Sequence, residues 1–125
     1  MILLLDAHAV LWTVSEPGSL EAAARSAIES PSNDVVVSAG SVWELEIKRA
    51  LGKIRIEVDL LAELERVGID VLPITAADAT SAARLPQHHR DPFDRMLVAQ
   101  ARRLGAVVVT RDVMFERYEV DVLPA

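Results

Sequence analysis

The chain has no cysteine, so neither a disulfide nor a thiolate-bound metal can form, a composition suited to a reducing cytoplasm. Aromatic residues supply only 4% of it while 51% is hydrophobic, so the core must be built from alanine, leucine and valine. That mixture favours helices packed on a buried sheet. No apolar run approaches the ~20 residues needed to span a bilayer. The first such run, Ile2 to Leu5, is broken at once by Asp6, so no signal peptide is expected. Repeats, linkers and low-complexity segments are missing too. The expectation is a soluble cytoplasmic protein with one domain over residues 1–125, long enough for a real core.

Positive charge is also in deficit. The formal net charge is −6, which argues against nucleic-acid binding by the whole surface. Its distribution is uneven, however. Between Arg84 and Arg111 there are six arginines and two histidines against Asp91 and Asp94 alone. From Glu57 to Asp78 the acids prevail, with only Arg66 to oppose them. A polyanion could meet a basic rim around an acidic centre, although ordinary solvated helix faces would give the same pattern.

What is present reads as alternating strands and helices. Ile2 to Leu5 is too apolar for a wet face and predicts a central strand, with Asp6 at its end and a short helix over 7–14. Ser19 after Pro17-Gly18 predicts the cap of a helix over 20–29. A second buried strand is expected over 34–37, then a helix over 39–51 closed by Gly52, its broad inner side carrying Val42, Trp43, Leu45, Glu46, Ile47 and Leu51. Asp59 caps a helix through Val67, and Ile69 to Ile74 reads as an edge strand because of Pro73. Thr75 caps a helix over 76–85. Asp91 caps the next, with Pro92 at its first position, Asp94 in its first turn, Leu97, Ala101 and Leu104 inward with Phe93, and Gly105 as its stop. Ala106 to Val109 predicts a buried strand, and Val120 to Leu123 a last one after a turn carrying Met114, Phe115 and Tyr118. This order gives an α/β domain with a central parallel sheet.

In a parallel sheet the carboxyl ends of the strands share one edge, where ligands bind. Asp6, Glu44 and Asp112 follow the first, second and fourth strands, and Asp94 opens a helix that begins at that same edge. Four acids would converge there, and like charges within ~4–6 Å raise one another's pKa unless a cation intervenes. A hard divalent ion with oxygen ligands is the usual remedy. Each acid also has a structural alternative. Glu44 stands at capping-box spacing after Ser41, Asp94 suits the helix dipole, Asp91 reads as an N-cap, and Asp112 suits a turn or the cap of a short helix. Asp6 could cap the helix after it, but that would not explain the other three.

The residues that carry a resemblance run through nearly the whole chain. They are Leu5-Asp6-Ala7-His8 with Trp12, Val37-Ser38-Ala39 leading to Trp43-Glu44, and Lys48 followed by Leu51-Gly52-Lys53-Ile54. His89 to Asp94-Arg95 and Val109-Thr110-Arg111-Asp112 complete the set. Together they resemble a PIN domain, and more narrowly the VapC toxins of type II toxin–antitoxin pairs. The resemblance implies a three-layer α/β/α nuclease that is usually homodimeric. It implies Mg²⁺ or Mn²⁺ held by Asp6, Glu44, Asp94 and Asp112, with Asp91 accessory and Thr110 helping to orient a water. The implied activity is endoribonuclease cleavage by metal-activated water, leaving a 5′-phosphate and a 3′-hydroxyl.

Lys48, Arg90, Arg95 and Arg111 are then candidates to touch RNA phosphates, a structural ion pair being the alternative for Arg95. His8 is expected to pack or position, and His88 and His89 to lie on a loop or face RNA. Trp12 and Trp43 read as core or interface residues. The resemblance also implies a cognate VapB-like antitoxin. A housekeeping RNA-processing nuclease and a non-catalytic metal- or protein-binding module are the rival readings. Phosphoacceptor receiver domains and haloacid-type phosphatases fit poorly, because Asp6 stands alone and His8 sits where the latter need a second acid.

Overall fold

The backbone of the core is a five-stranded, wholly parallel sheet in the order β3-β2-β1-β4-β5, seen in a computed structural model that describes residues 1–125. Its strands are β1 Ile2–Leu5, β2 Asp34–Ser38, β3 Asp70–Leu72, β4 Val107–Thr110 and β5 Val122–Pro124. Six α-helices connect and cover them: α1 Ala7–Ser15, α2 Ala22–Glu29, α3 Ala39–Ala50, α4 Leu60–Arg66, α5 Ala76–Ala83 and α6 Pro92–Leu104. None is long and apolar enough to cross a membrane.

Strand pleating explains the layers. Successive side chains of a strand point to opposite faces. Leu3, Leu5, Val35, Val37 and Val109 thus enter one apolar cluster with Val10, Leu45, Leu60 and Leu64. Leu4 and Val108 enter a second with Leu97, Val98, Ala101, Phe115 and Tyr118. Leu3, Leu4 and Leu5 are all fully buried, and each such side chain stabilises the fold by roughly 1.5–3 kcal/mol. Helices α1 to α4 contribute to the first cluster and α6 to the second, with α5 packed against α6, giving the expected α/β/α layering.

The chain steps outward from β1 to β2 to β3, then returns to place β4 on the other side of β1. Such a reversal opens a crevice at the carboxyl ends of the two strands beside it. β1 and β4 pair from Leu3 with Val107 to Leu5 with Val109, so Asp6 and Asp112 leave the sheet at that crevice.

Several predicted elements moved. Helix α2 begins at Ala22, not Leu20, because Pro17–Ser19 closes a 3₁₀ turn on Glu16 and Ser19 donates to Glu16 Oε2 at 3.2 Å. The edge strand β3 shrinks to three residues, since only Asp70 to Leu72 pair with Val36 to Ser38 before Pro73 ends the ladder. Helix α5 stops at Ala83, two residues early, as the chain turns before Pro86. β5 starts at Val122, where pairing with Val108 begins. The inner side of α3 is narrower than expected: Leu45 is buried, but Trp43 is 63% exposed and touches the Phe93 ring edge-on at 5.6 Å.

Candidate metal centre

Helix caps deliver the acids. Asp6 caps α1, its Oδ1 accepting from Ala9 N at 2.8 Å. Asp91 caps α6, its Oδ1 accepting from Phe93 N at 2.8 Å and Asp94 N at 3.3 Å. Asp112 caps the 3₁₀ turn Val113–Tyr118, its Oδ1 accepting from Met114 N at 2.9 Å. In each case one carboxylate oxygen satisfies the helix start, and for Asp6 and Asp112 the other meets a neighbouring side chain. A cleft of about 370 Å³ is lined by Asp6, Glu44, Asp91, Asp94 and Asp112 together with Ala7, His8, Lys48 and Arg111.

Glu44 is released from the capping role that its spacing allowed. Ser38, not Ser41, caps α3, accepting from Gly40 N at 3.1 Å. Glu44 Oε2 instead accepts from Lys48 Nζ at 2.7 Å, one turn along the same helix. Thr110 ties two strands' acids together: its Oγ1 donates to Asp6 Oδ2 at 2.6 Å and accepts from Asp112 N at 3.0 Å.

The electrostatics are those of crowded acids. Burial raises the Asp6 carboxyl above its usual range, against the lowering effect of its hydrogen bonds from Thr110 and Ala9. Asp94 is pushed up to about 7, first by burial and then by the Asp91 charge, with Glu44 and Asp6 adding to it and His89 opposing. The set of donors, carboxylate oxygens around one basin of negative potential, suits a hard divalent cation.

A histidine bridges two of these acids. His89 Nε2 is 2.8 Å from Asp112 Oδ2 and 3.0 Å from Asp94 Oδ2, and the three atoms lie within 4.8 Å of one another. The loop that carries it is pinned from inside. Arg95, only 8% exposed, donates from NH1 to Pro86 O (2.9 Å) and His89 O (3.3 Å), and from NH2 to Ala82 O (2.9 Å) and Leu85 O (2.8 Å). The buried Tyr118 hydroxyl donates to Pro86 O at 2.8 Å and accepts from His89 N at 2.7 Å.

Comparison with known proteins decides the family. A sequence model of the PIN domain matches residues 3–121. The chain belongs to the PIN-domain family. Ribonuclease VapC22 of Mycobacterium tuberculosis is 33% identical over 112 residues, covering 87% of this chain and 85% of its own length, so the chain groups with VapC-type PIN proteins. Among solved structures, VapBC2 from Rickettsia felis bound to a promoter DNA fragment is similar with a TM-score of 0.73 at 14% identity, covering 98% of both chains. VapBC from Salmonella typhimurium bound to DNA gives 0.67 at 20% identity, covering 98% and 97%. FitAcB from Neisseria gonorrhoeae gives 0.60 at 23% identity, covering 98% and 96%. These likenesses are of fold, and they match the parallel sheet and its helical layers.

Within this PIN domain, Asp6, Glu44, Asp91, Asp94 and Asp112 come together in the cleft with Lys48 and Arg111, while Arg90 is exposed beside Asp91. Arg95 does not join them. The expectation of an RNA phosphate contact or a pair with a site acid fails for it, because its guanidinium is turned inward, where the loop's carbonyls hold it. Arg111 is partly committed as well: Nε donates to Ala125 O at 2.7 Å, NH2 to Ser19 O, and the group stacks over Trp12 at 4.1 Å. His8 stacks on Trp12 at 5.6 Å, the packing role expected of it. His88 packs edge-on to Tyr118, and His89 proves to be inside the acidic cluster, which spacing does not reveal. The only signal is the run of polar residues before Asp91.

Proposed function

We propose that this VapC-type PIN protein is the toxin of a type II toxin–antitoxin pair and acts as a Mg²⁺-dependent endoribonuclease. The observation that carries the reading is the convergence of Asp6, Glu44, Asp94 and Asp112 from four elements on one cleft, with Asp94 pushed up to about 7. The carboxylates of these four residues would hold Mg²⁺, with Mn²⁺ as the alternative. The bound ion would lower the pKa of a water and offset charge on the scissile phosphate.

The chain's own residues do the rest. Asp6 and Asp112 are fixed through their caps and Thr110, so the acids need little reorganisation before substrate arrives. Thr110, with its hydroxyl already shared between these two, acts by holding them and is suited to orient a water beside Asp6. Asp91 keeps the first turn of α6 in place and supplies background charge at the accessory position. Lys48, Arg90 and Arg111 would meet the RNA backbone around the cleft, giving an acidic protein a basic contact surface for a polyanion.

The names of the structural relatives, VapBC pairs, support a VapB-like antitoxin as partner, and a homodimer is the expected assembly. The deciding experiment is cleavage of total RNA with and without Mg²⁺, with product ends mapped. Cleavage that EDTA abolishes and that Asp6→Asn or Asp94→Asn removes, leaving 5′-phosphates, supports the reading. Cleavage that survives both substitutions sinks it. Growth arrest on expression, relieved by the cognate antitoxin, separates a toxin from a housekeeping nuclease.

A further inference from the structure

His89 has no part in the chemistry described so far, yet every polar atom it has is engaged. Its backbone N–H goes to Tyr118 Oη at 2.7 Å and its carbonyl takes Arg95 NH1 at 3.3 Å. In the ring, Nδ1 accepts from Asp91 N at 3.1 Å. A backbone N–H can only donate, so Nδ1 presents a lone pair and the ring proton sits on Nε2. Nε2–H then points between Asp112 Oδ2 at 2.8 Å and Asp94 Oδ2 at 3.0 Å. The side chain is 17% exposed and packs edge-on to Phe115 at 6.2 Å, so it has one place to be.

The two acids come from separate parts of the fold. Asp94 is on the first turn of α6 and Asp112 follows β4, and no covalent or capping link sets the distance between them. The imidazole is the side chain that hydrogen-bonds to both carboxylates. We propose that His89, locked as the Nε2–H tautomer by the Asp91 amide, is a positioning residue. It sets the separation and rotation of the Asp94 and Asp112 carboxylates for cation binding. It acts as a hydrogen-bond donor behind the ligands and is not itself a ligand, since its Nε2 lone pair is taken by the proton. Carboxylates that hold a metal depend on such donors, whose loss typically lowers metal affinity 10- to 100-fold. Arg95 and Tyr118 serve this arrangement at one remove, because they fix the loop from which the imidazole projects.

The role of His89 rests on the metal-site reading above, and two measurements separate them. The first is the ¹⁵N–¹H correlation spectrum of the imidazole in chelator-treated full-length protein, which reports the tautomer without any ion. The Nε2–H pattern is expected, and an Nδ1–H pattern overturns the proposal whatever the metal does. The second is Mg²⁺ titration by calorimetry, alongside melting temperature, for wild type, His89→Ala and His89→Gln. His89→Ala is expected to weaken Mg²⁺ binding 10- to 100-fold while the variant still folds, and His89→Gln, which keeps a donor near Nε2, to restore part of it. Unchanged Mg²⁺ affinity in a folded His89→Ala protein refutes the positioning role. A shift of the ring to Nδ1–H on adding Mg²⁺ refutes it in favour of direct ligation. Wild type that fails to bind Mg²⁺ while showing the Nε2–H pattern overturns the metal-site reading instead.

Discussion

Replacing Asp94 with asparagine should stabilise the ion-free protein at neutral pH while abolishing its function. The Asp94 side chain is 21% exposed and its carboxyl is pushed up to about 7, where an unfolded chain would ionise near ~3.9. The folded state therefore holds a proton that the unfolded state has released. Stability from this group is fully present below pH ~4 and is lost as pH rises through ~7. Holding the proton across that pH window corresponds to at most about 4 kcal/mol. Part of that is shared repulsion with Asp91, Glu44 and Asp6, so one substitution should recover about 1–3 kcal/mol at pH 7.5. Asparagine keeps the size of the side chain and can still accept from His89. The assay is urea unfolding followed by circular dichroism in EDTA, at pH 5 and pH 7.5. Asp94→Asn should exceed wild type at pH 7.5 and by only about a third as much at pH 5, with unchanged denaturant dependence. With Mg²⁺ at ~1,000 times its dissociation constant, wild type should gain about 4 kcal/mol and overtake the variant. A variant that is less stable than wild type at pH 7.5 without metal would refute the crowded-acid reasoning.

Three further outcomes follow from other parts of the fold. Arg95→Met should lose about 3–5 kcal/mol in chemical denaturation, because it strands the buried carbonyls of Ala82 and Leu85; a loss below ~1 kcal/mol would show that the loop holds itself. Asp78 is buried, capped to Thr75 and held down at about 2, chiefly by the Arg103 guanidinium at 2.7 Å, so it stabilises the protein above pH ~4 and ceases to as pH falls through ~2. Asp78→Asn should cost about 2 kcal/mol at pH 7 in thermal melts, and the gap to wild type should close at pH 2. Lys48→Gln or Arg90→Gln should weaken RNA binding across all sequences and lower the salt dependence by about one counterion; an unchanged slope would place that side chain off the backbone.

Local chemistry made much of this fold legible. Asp91-Pro92 and Gly105 marked both ends of α6, and three aliphatic runs marked β1, β2 and β4, because burying a parallel strand requires apolar residues on both faces. Two of the errors fall where a distant strand sets the boundary, and the one at Ser19 where a local turn does. β3 and β5 end or begin where a neighbouring strand allows pairing, and Ser19 lost its cap to a turn closing on Glu16. The site divides along the same line. A choice between cap and ligand for Asp6 and Asp112 cannot be made from spacing, and in the structure capping leaves one oxygen of each for a second contact. Each of these two carboxylates caps with one oxygen and turns the second to a neighbouring side chain, Thr110 for Asp6 and His89 for Asp112, so the capping requirement aims an acid that lines the cleft.

His89 and Arg95 escape sequence reasoning for a different cause. Their partners lie 23 residues away at Asp112, 29 at Tyr118 and up to 13 at Ala82, and none of these separations follows a helical or strand period. Charge alone makes both look like surface residues. An arginine can be buried without a carboxylate when its five N–H donors find carbonyls, and the chain end of α5 with its following loop offers five of them. The interior cation thus shapes the loop, the loop sets the imidazole, and the imidazole meets the acids. That chain of contacts links the least exposed arginine to the most crowded carboxylate, and it exists only after α5, α6 and β4 have packed.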